Sequence, residues 1–343
     1  MSGNGIEMAT LNPPPKNPEG HAPRRVPGSV RRTSSIDVDW PDGREGTMHL
    51  VGRARDIFTP PGTADIIVLD EGAFTARIDA ERRILAISAE AAPDGLQRLV
   101  GDRAGGRLRG AIAAALPAER RDGTALHLIL DDLAGTSLIS PWAWSRWDPE
   151  WLVQLQRRKA DPKFAAAFNR ENICSGLRTG SSGLSMAADG IAATDLRDPA
   201  DPRGWHAFPA APGTGMRRAR RIDISCDTLI RIDAHFQDSA TTPEGFRSAL
   251  HEYRIRATAD PVTQKMLWIE AEPRVLPFAE CPLAADNAQR LVGKSLAELR
   301  ETVLEELKGV AGCTHLNDAL RALADVPLLM RHVEPGAPAN AAE

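Results

Sequence analysis

His251, Cys281, Cys313 and His315 are the residues of this 343-residue chain whose types could do chemistry together. Two thiols and two imidazoles make a ligand set suited to tetrahedral zinc, or to iron with sulfide. Cys281 precedes Pro282, and proline suits the first position of a helix. The thiol then falls at the N-cap, where free amides and the positive dipole end stabilise a thiolate. Cys313 follows Gly312 and precedes another helical run, so the same logic applies. No C-x-x-C pair is present, and 32 residues separate the two cysteines, so folding must gather the set. The bland alternatives stand beside this one. A cysteine in an apolar run serves equally as a small buried hydrophobe, and a lone histidine as a hydrogen-bonded structural residue. Cys174 and Cys226 read as structural. Without a metal, Cys313 or Cys281 is a nucleophile or acid with His315 or His251 as its base, and one of Glu252, Glu270 and Glu272 is a general base or an acceptor for a histidine. The bland reading of Glu252, Glu270 and Glu272 is solvated sheet-edge charges. There is no Walker loop, G-x-G-x-x-G, H-E-x-x-H or G-x-S-x-G.

Positioning these residues falls to an internal repeat. Arg31-Arg32-Thr33-Ser34-Ser35-Ile36-Asp37-Val38 answers Arg217-Arg218-Ala219-Arg220-Arg221-Ile222-Asp223-Ile224, and Gln97-Arg98-Leu99-Val100-Gly101 recurs as Gln289-Arg290-Leu291-Val292-Gly293. Leu108-Arg109 answers Leu299-Arg300, and Leu126-His127-Leu128 answers Thr314-His315-Leu316. The offsets are 186, 192, 191 and 188 residues, in one order, which points to duplication. In the later copy, Leu229–Ala234, Tyr253–Ala259 and Met266–Ala271 read as strands, with a turn at Asp260-Pro261. Helices follow from Cys281 to Val292, from Ser295, and from near Cys313. The earlier copy keeps this pattern without a cysteine, with Asp70 near the place of His251 and Ala125 near that of Cys313. The expected fold class is α+β: two tandem similar units, each a small antiparallel sheet with helices on one face.

The expected divisions are a disordered arm (1–28), a first repeat (29–138), a Trp-rich connector (139–215), a second repeat (216–333) and a disordered tail (334–343). The connector holds five of the seven tryptophans. Trp142, Trp144 and Trp147 either fill the cleft between the copies or wall a ligand pocket there. A net charge of −4 gives no basic imbalance for nucleic acid, and no apolar run approaches a membrane span. The polar N-terminus has no signal-peptide core, so the expected location is cytoplasmic, with free, metal-bound or reactive cysteines.

Two resemblances enter on particular residues. Leu133–Leu138, Pro141–Trp147, His251-Glu252-Tyr253 and Gly312–Asp318 resemble an uncharacterised bacterial family, the domain of unknown function numbered 2889, from about Arg31 to Leu329. The later copy also resembles the NifU- and IscU-like iron–sulfur scaffold fold. On that resemblance Cys281 matches the helix-opening cysteine, Cys313 and His315 the last pair, and His251 an aspartate of the first strand turn. The first cysteine of that family has no counterpart, and its last pair appears here as Cys-x-His.

Three functions therefore stand open. The first is a metal- or iron–sulfur-binding protein using His251, Cys281, Cys313 and His315, with zinc or iron as cofactor; as an enzyme it would act on a small apolar or aromatic metabolite. The second is a metal-free cysteine/histidine lyase or hydrolase of a catabolic pathway. The third is a non-catalytic binding or assembly module. A small-molecule ligand is the expected partner, with neither nucleic acid nor membrane, and the oligomeric state is open.

Overall fold

The computed structural model describes residues 11–63, 65–160, 170–211 and 213–333. The expected disordered tail, and the first ten residues of the expected arm, lie outside the described residues. The strands are β1 (Val30–Asp39), β2 (Met48–Phe58), β3 (Ile67–Ile78), β4 (Ile84–Ala89), β5 (Ile191–Ala192), β6 (Gly215–Cys226), β7 (Ile230–Thr241), β8 (Arg247–Ala259) and β9 (Met266–Val275). They form one antiparallel sheet in the order β4-β3-β2-β1-β6-β7-β8-β5, with β9 also paired to β8. This corrects the expectation of two small sheets packed across the connector. The strand meanders of the two segments join edge to edge, β1 against β6, from Val30↔Ile224 to Asp39↔Gly215.

Strand alternation explains the layering. Ile222, Ile224, Ile232, Ala234, Phe236, Tyr253 and Ile255 enter one apolar core, and Ile36, Val38, Leu50 and Phe74 a second on the same face. Helices cover that face: α1 (Leu108–Ala115), α2 (Ala125–Ile139), α3 (Leu299–Glu306) and α4 (Thr314–Arg321), with short turns between them. α2 is buried nearly all round, and the Thr124 hydroxyl caps it by accepting from the His127 amide. The stretch from Cys281 to Leu291 forms two 3-10 turns, not one helix. Among the described residues, no helix is long and apolar enough to cross a membrane.

The opposite face of the sheet carries Thr33, Ser35, Ala219 and His235. The connector covers it, with His206 bonded to Thr33 and Ser35 and with Trp205 and Leu196 against Ala219. The arm from residue 11 also lies on the protein, contrary to its expected disorder. Asn17 donates to the Arg274 carbonyl, Ala22 to Leu196, and Arg25 pairs with Asp201.

The two segments repeat each other's bonds. A β-bulge follows Asp56↔Asp70 in β2–β3 and Asp238↔His251 in β7–β8. Gln97 donates to the Ile87 carbonyl and Gln289 to that of Ile269. The amides of Gly101 and Gly293 donate to Ile84 and Met266, both glycines at positive φ.

Candidate functional site

The bulge after Asp238 sets His251 directly across from it, both on the helix face of the sheet. His315 arrives from the first turn of α4. Its ring stacks on that of His251, with centroids 3.5 Å apart and planes 14° apart. Asp238 Oδ2 lies 3.6 Å from His251 Nδ1 and 3.7 Å from His315 Nε2. One donor atom from each of the three residues falls within 4.8 Å of the others. Both separations exceed hydrogen-bond length, and His251 Nδ1 is buried without a hydrogen-bond partner among the described residues.

Charge at this cluster is fixed by its neighbours. Burial alone would push the Asp238 carboxyl up. Arg218, which donates to both of its oxygens at 2.9 and 3.1 Å, holds it well below the carboxylate range instead. Burial pulls His251 down and His315 well down, and the neighbouring His251 adds to the effect on His315. Both imidazoles are neutral at pH 7, the form that ligates a metal. Arg218 in turn bonds Asp318, which also takes Arg109 from the first segment.

Neither thiol is among the three converging donors, although Cys313 touches His315. Cys313 Sγ is 3.9 Å from Nδ1 of His315, the nitrogen turned away from Asp238 contact, and Thr314 Oγ1 is 3.4 Å from the same atom. Beside Cys313 lie the Tyr253 hydroxyl, Cys281 and Cys174. Cys313 is the N-cap of α4, as its position after Gly312 suggested, but Cys281 is the first residue of a 3-10 turn whose cap is Glu280. Burial works against the expected thiolates. Burial pushes Cys313 up despite the amides of Leu316 and His315, pushes Cys281 well up, and takes Cys174 to about 11. The connector covers this thiol group: Ser175 donates to the Gly312 and Val310 carbonyls, and Gly176 leaves no room for a Cβ beside Cys281 Sγ.

Glu252 is not at the cluster. It follows His251 on β8, so it points to the other face of the sheet. There it is buried and accepts from His235 Nε2 at 3.1 Å, Gln237 Nε2 at 2.9 Å and the Glu19 amide. The tryptophans read as cleft filling or as a pocket wall each have a partner of their own. The Trp142 indole donates to the Ala188 carbonyl, Trp147 to that of Thr241, and Trp144 meets Trp40 edge-on.

Asp238 and Arg218 were missing from the expected set. Their signal is present in the sequence: Ile230, Ile232, Ala234, Phe236, Asp238 puts an acid in register with an apolar face, and Arg218, Arg220, Ile222, Ile224 does the same with bases.

Residues 216–329 match the model of a family described as a protein of unknown function, DUF2889, a shorter span than the Arg31–Leu329 expected. No curated protein and no solved structure matches the chain. The iron–sulfur scaffold resemblance gains no support. The strand pair it implies is, in the second segment, a four-stranded meander inside a larger sheet.

Proposed function

We propose that the chain binds a single divalent ion, zinc or ferrous iron, through Asp238 Oδ2, His251 Nδ1 and His315 Nε2. One observation carries the reading: three donor atoms converge at separations too long for hydrogen bonds and close to those of ligands sharing an ion. Bonds of about 2.0–2.1 Å to tetrahedral zinc put neighbouring ligand atoms about 3.4 Å apart. Two imidazoles and one carboxylate also suit ferrous iron with open positions. Arg218 orients the carboxylate, and Cys313 with Thr314 orients His315 from its other nitrogen. The thiols are therefore supporting groups in this reading, and no iron–sulfur cluster is invoked. A bound ion supplies Lewis-acid chemistry or an activated water.

The same reading includes a duplication of residues 29–138 and 216–333. The paired bulges, the paired Gln and Gly bonds, and Ser34 facing Arg220 across the β1–β6 seam, its own counterpart at the offset of 186, support it. At the bulge the first copy has Asp70, whose carboxylate accepts from the Ala125 amide and so serves helix capping.

The second reading is metal-free chemistry at Cys313 and His315, which their 3.9 Å contact favours. Elemental analysis of freshly purified chain separates the two. The metal reading expects one zinc or iron per chain, lost in His251→Ala and His315→Ala. Metal-free protein that also ignores added Co²⁺ ends it.

A further inference from the structure

Asp238 and His251 are buried and His315 is nearly so, so a ligand reaches the centre only if its cover moves. Part of that cover is the N-terminal arm. The Leu276 amide donates to the Pro15 carbonyl, the Asn17 amide donates to Arg274, and Lys16 stands beside Val275. Val275 pairs with Glu252, the residue after His251. At its far end the Lys16 ammonium donates to the main-chain carbonyl of Asp189. The adjoining Gly190 lies against the Ala249 carbonyl. A side chain that starts beside Val275 and ends at Asp189 thus spans β8 from Glu252 towards Ala249, past His251. Its charge acts on both His251 and Cys281.

We propose that Lys16 is the anion-recognition residue of this centre: once the arm has opened and closed again over a small ligand, its ammonium exchanges the Asp189 carbonyl for the carboxylate of that ligand. The proposal rests on the metal reading above. Two observations favour an anion. The ammonium is hydrogen-bonded to a main-chain carbonyl and interacts with the Asp189 carboxylate only through space, so a carboxylate that bonds it directly is a better acceptor. With Arg146 paired to Asp189 Oδ1 at 3.2 Å, the two cations and one carboxylate at this place leave a net positive charge. A carboxylate held between a divalent ion and an ammonium gains from both, whereas a neutral ligand gains from the ion alone.

The test uses full-length chain loaded with Co²⁺, titrated with malonate and, separately, with neutral imidazole, and followed by its visible spectrum. In Lys16→Met, malonate affinity should fall about tenfold or more with imidazole affinity unchanged, and Lys16→Arg should recover part of the loss. Unchanged malonate affinity in Lys16→Met overturns the role of Lys16 and leaves the metal reading standing. An equal loss for imidazole also overturns it, because the arm then acts only as structure. A wild-type chain that takes up no cobalt overturns the metal reading, and this proposal with it.

Discussion

Arg300 and Asp131 meet at 3.3 Å in the buried space between the two segments, one on α3 and the other on α2. Arg109, which answers Arg300 in the sequence, reaches the other way to Asp318 on α4. Arg300 continues to Asp325 and from there to Arg32 and Asp56, while Asp318 continues to Arg218 and Asp238. The helix layers are thus tied by charge in both directions, and one end of the chain of pairs is the carboxylate of the candidate centre.

Removing one member of this network leaves a buried charge without its partner. Asp131→Asn should cost about 3–5 kcal/mol of stability, and the double change Asp131→Leu with Arg300→Met much less. Urea denaturation followed by circular dichroism measures both. Similar losses in the single and double variants would show that the pair does not act as a unit.

Arg218 holds Asp238 without touching the proposed ion. Arg218→Met should weaken metal affinity about 10–100-fold, while Asp238→Asn should abolish binding. Competition with a chromophoric chelator reads the difference. Equal, complete loss in a well-folded Arg218→Met chain would make the arginine more than an orienting group.

Buried histidines should make the protein acid-sensitive. Burial lowers His127 to about 4 and His206 to about 3, against an ordinary value of about 6.5. The unfolded chain then binds protons that the folded chain refuses. The stability these groups contribute is complete above pH 6.5 and is lost as pH falls below it. Each should cost about 2 kcal/mol between pH 7 and 5. The urea midpoint should drop over that interval, and drop less in His127→Gln. A flat profile contradicts the burial assigned to these rings. The raised carboxyls Asp37 and Asp56 have the opposite sign, with stability lost as pH rises through their folded pKa, and they enter at their own raised values.

Cys281 and Cys313 should be silent to thiol reagents at pH 7.5 and react fully on unfolding, because burial keeps both protonated. Rapid modification of Cys313 in the folded chain would favour the metal-free reading.

Gly101 and Gly293 give a matched test of the duplication. Both have positive φ, 89° and 82°, and both face open space where an alanine methyl would stand, so alanine meets strain without a clash. Gly101→Ala and Gly293→Ala should each cost about 1–2 kcal/mol. Thermal melts of the two variants should move together.

Much of the fold was legible where apolar alternation was regular. Leu229–Ala234, Tyr253–Ala259 and Met266–Ala271 fall in β7, β8 and β9, apart from Leu229, which lies one residue ahead of β7. β7 and β8 proved longer because Asp238, His235, Gln237 and Glu252 pair inside the protein, and polar stretches read as strand ends. The seam between β1 and β6 was hidden, since pairing across 186 residues leaves no local mark. Of the candidate centre, His251 and His315 were already in the expected set, chosen by type. Glu252 was misplaced because one step along a strand reverses the face, and Asp238 was passed over because an acid among apolar residues resembles a surface charge.

The β1–β6 seam also sets an order of birth. On the ribosome, β1 emerges long before β6, so the first four strands wait with one edge bare while the connector is made. An uncovered edge invites pairing with another nascent chain. β1 carries Arg31 and Asp37, whose partners Asp223 and Arg217 come with β6. Until then these charges are hydrated and make the waiting edge a poor template. The residues that lock the finished sheet are thus also its guard during synthesis.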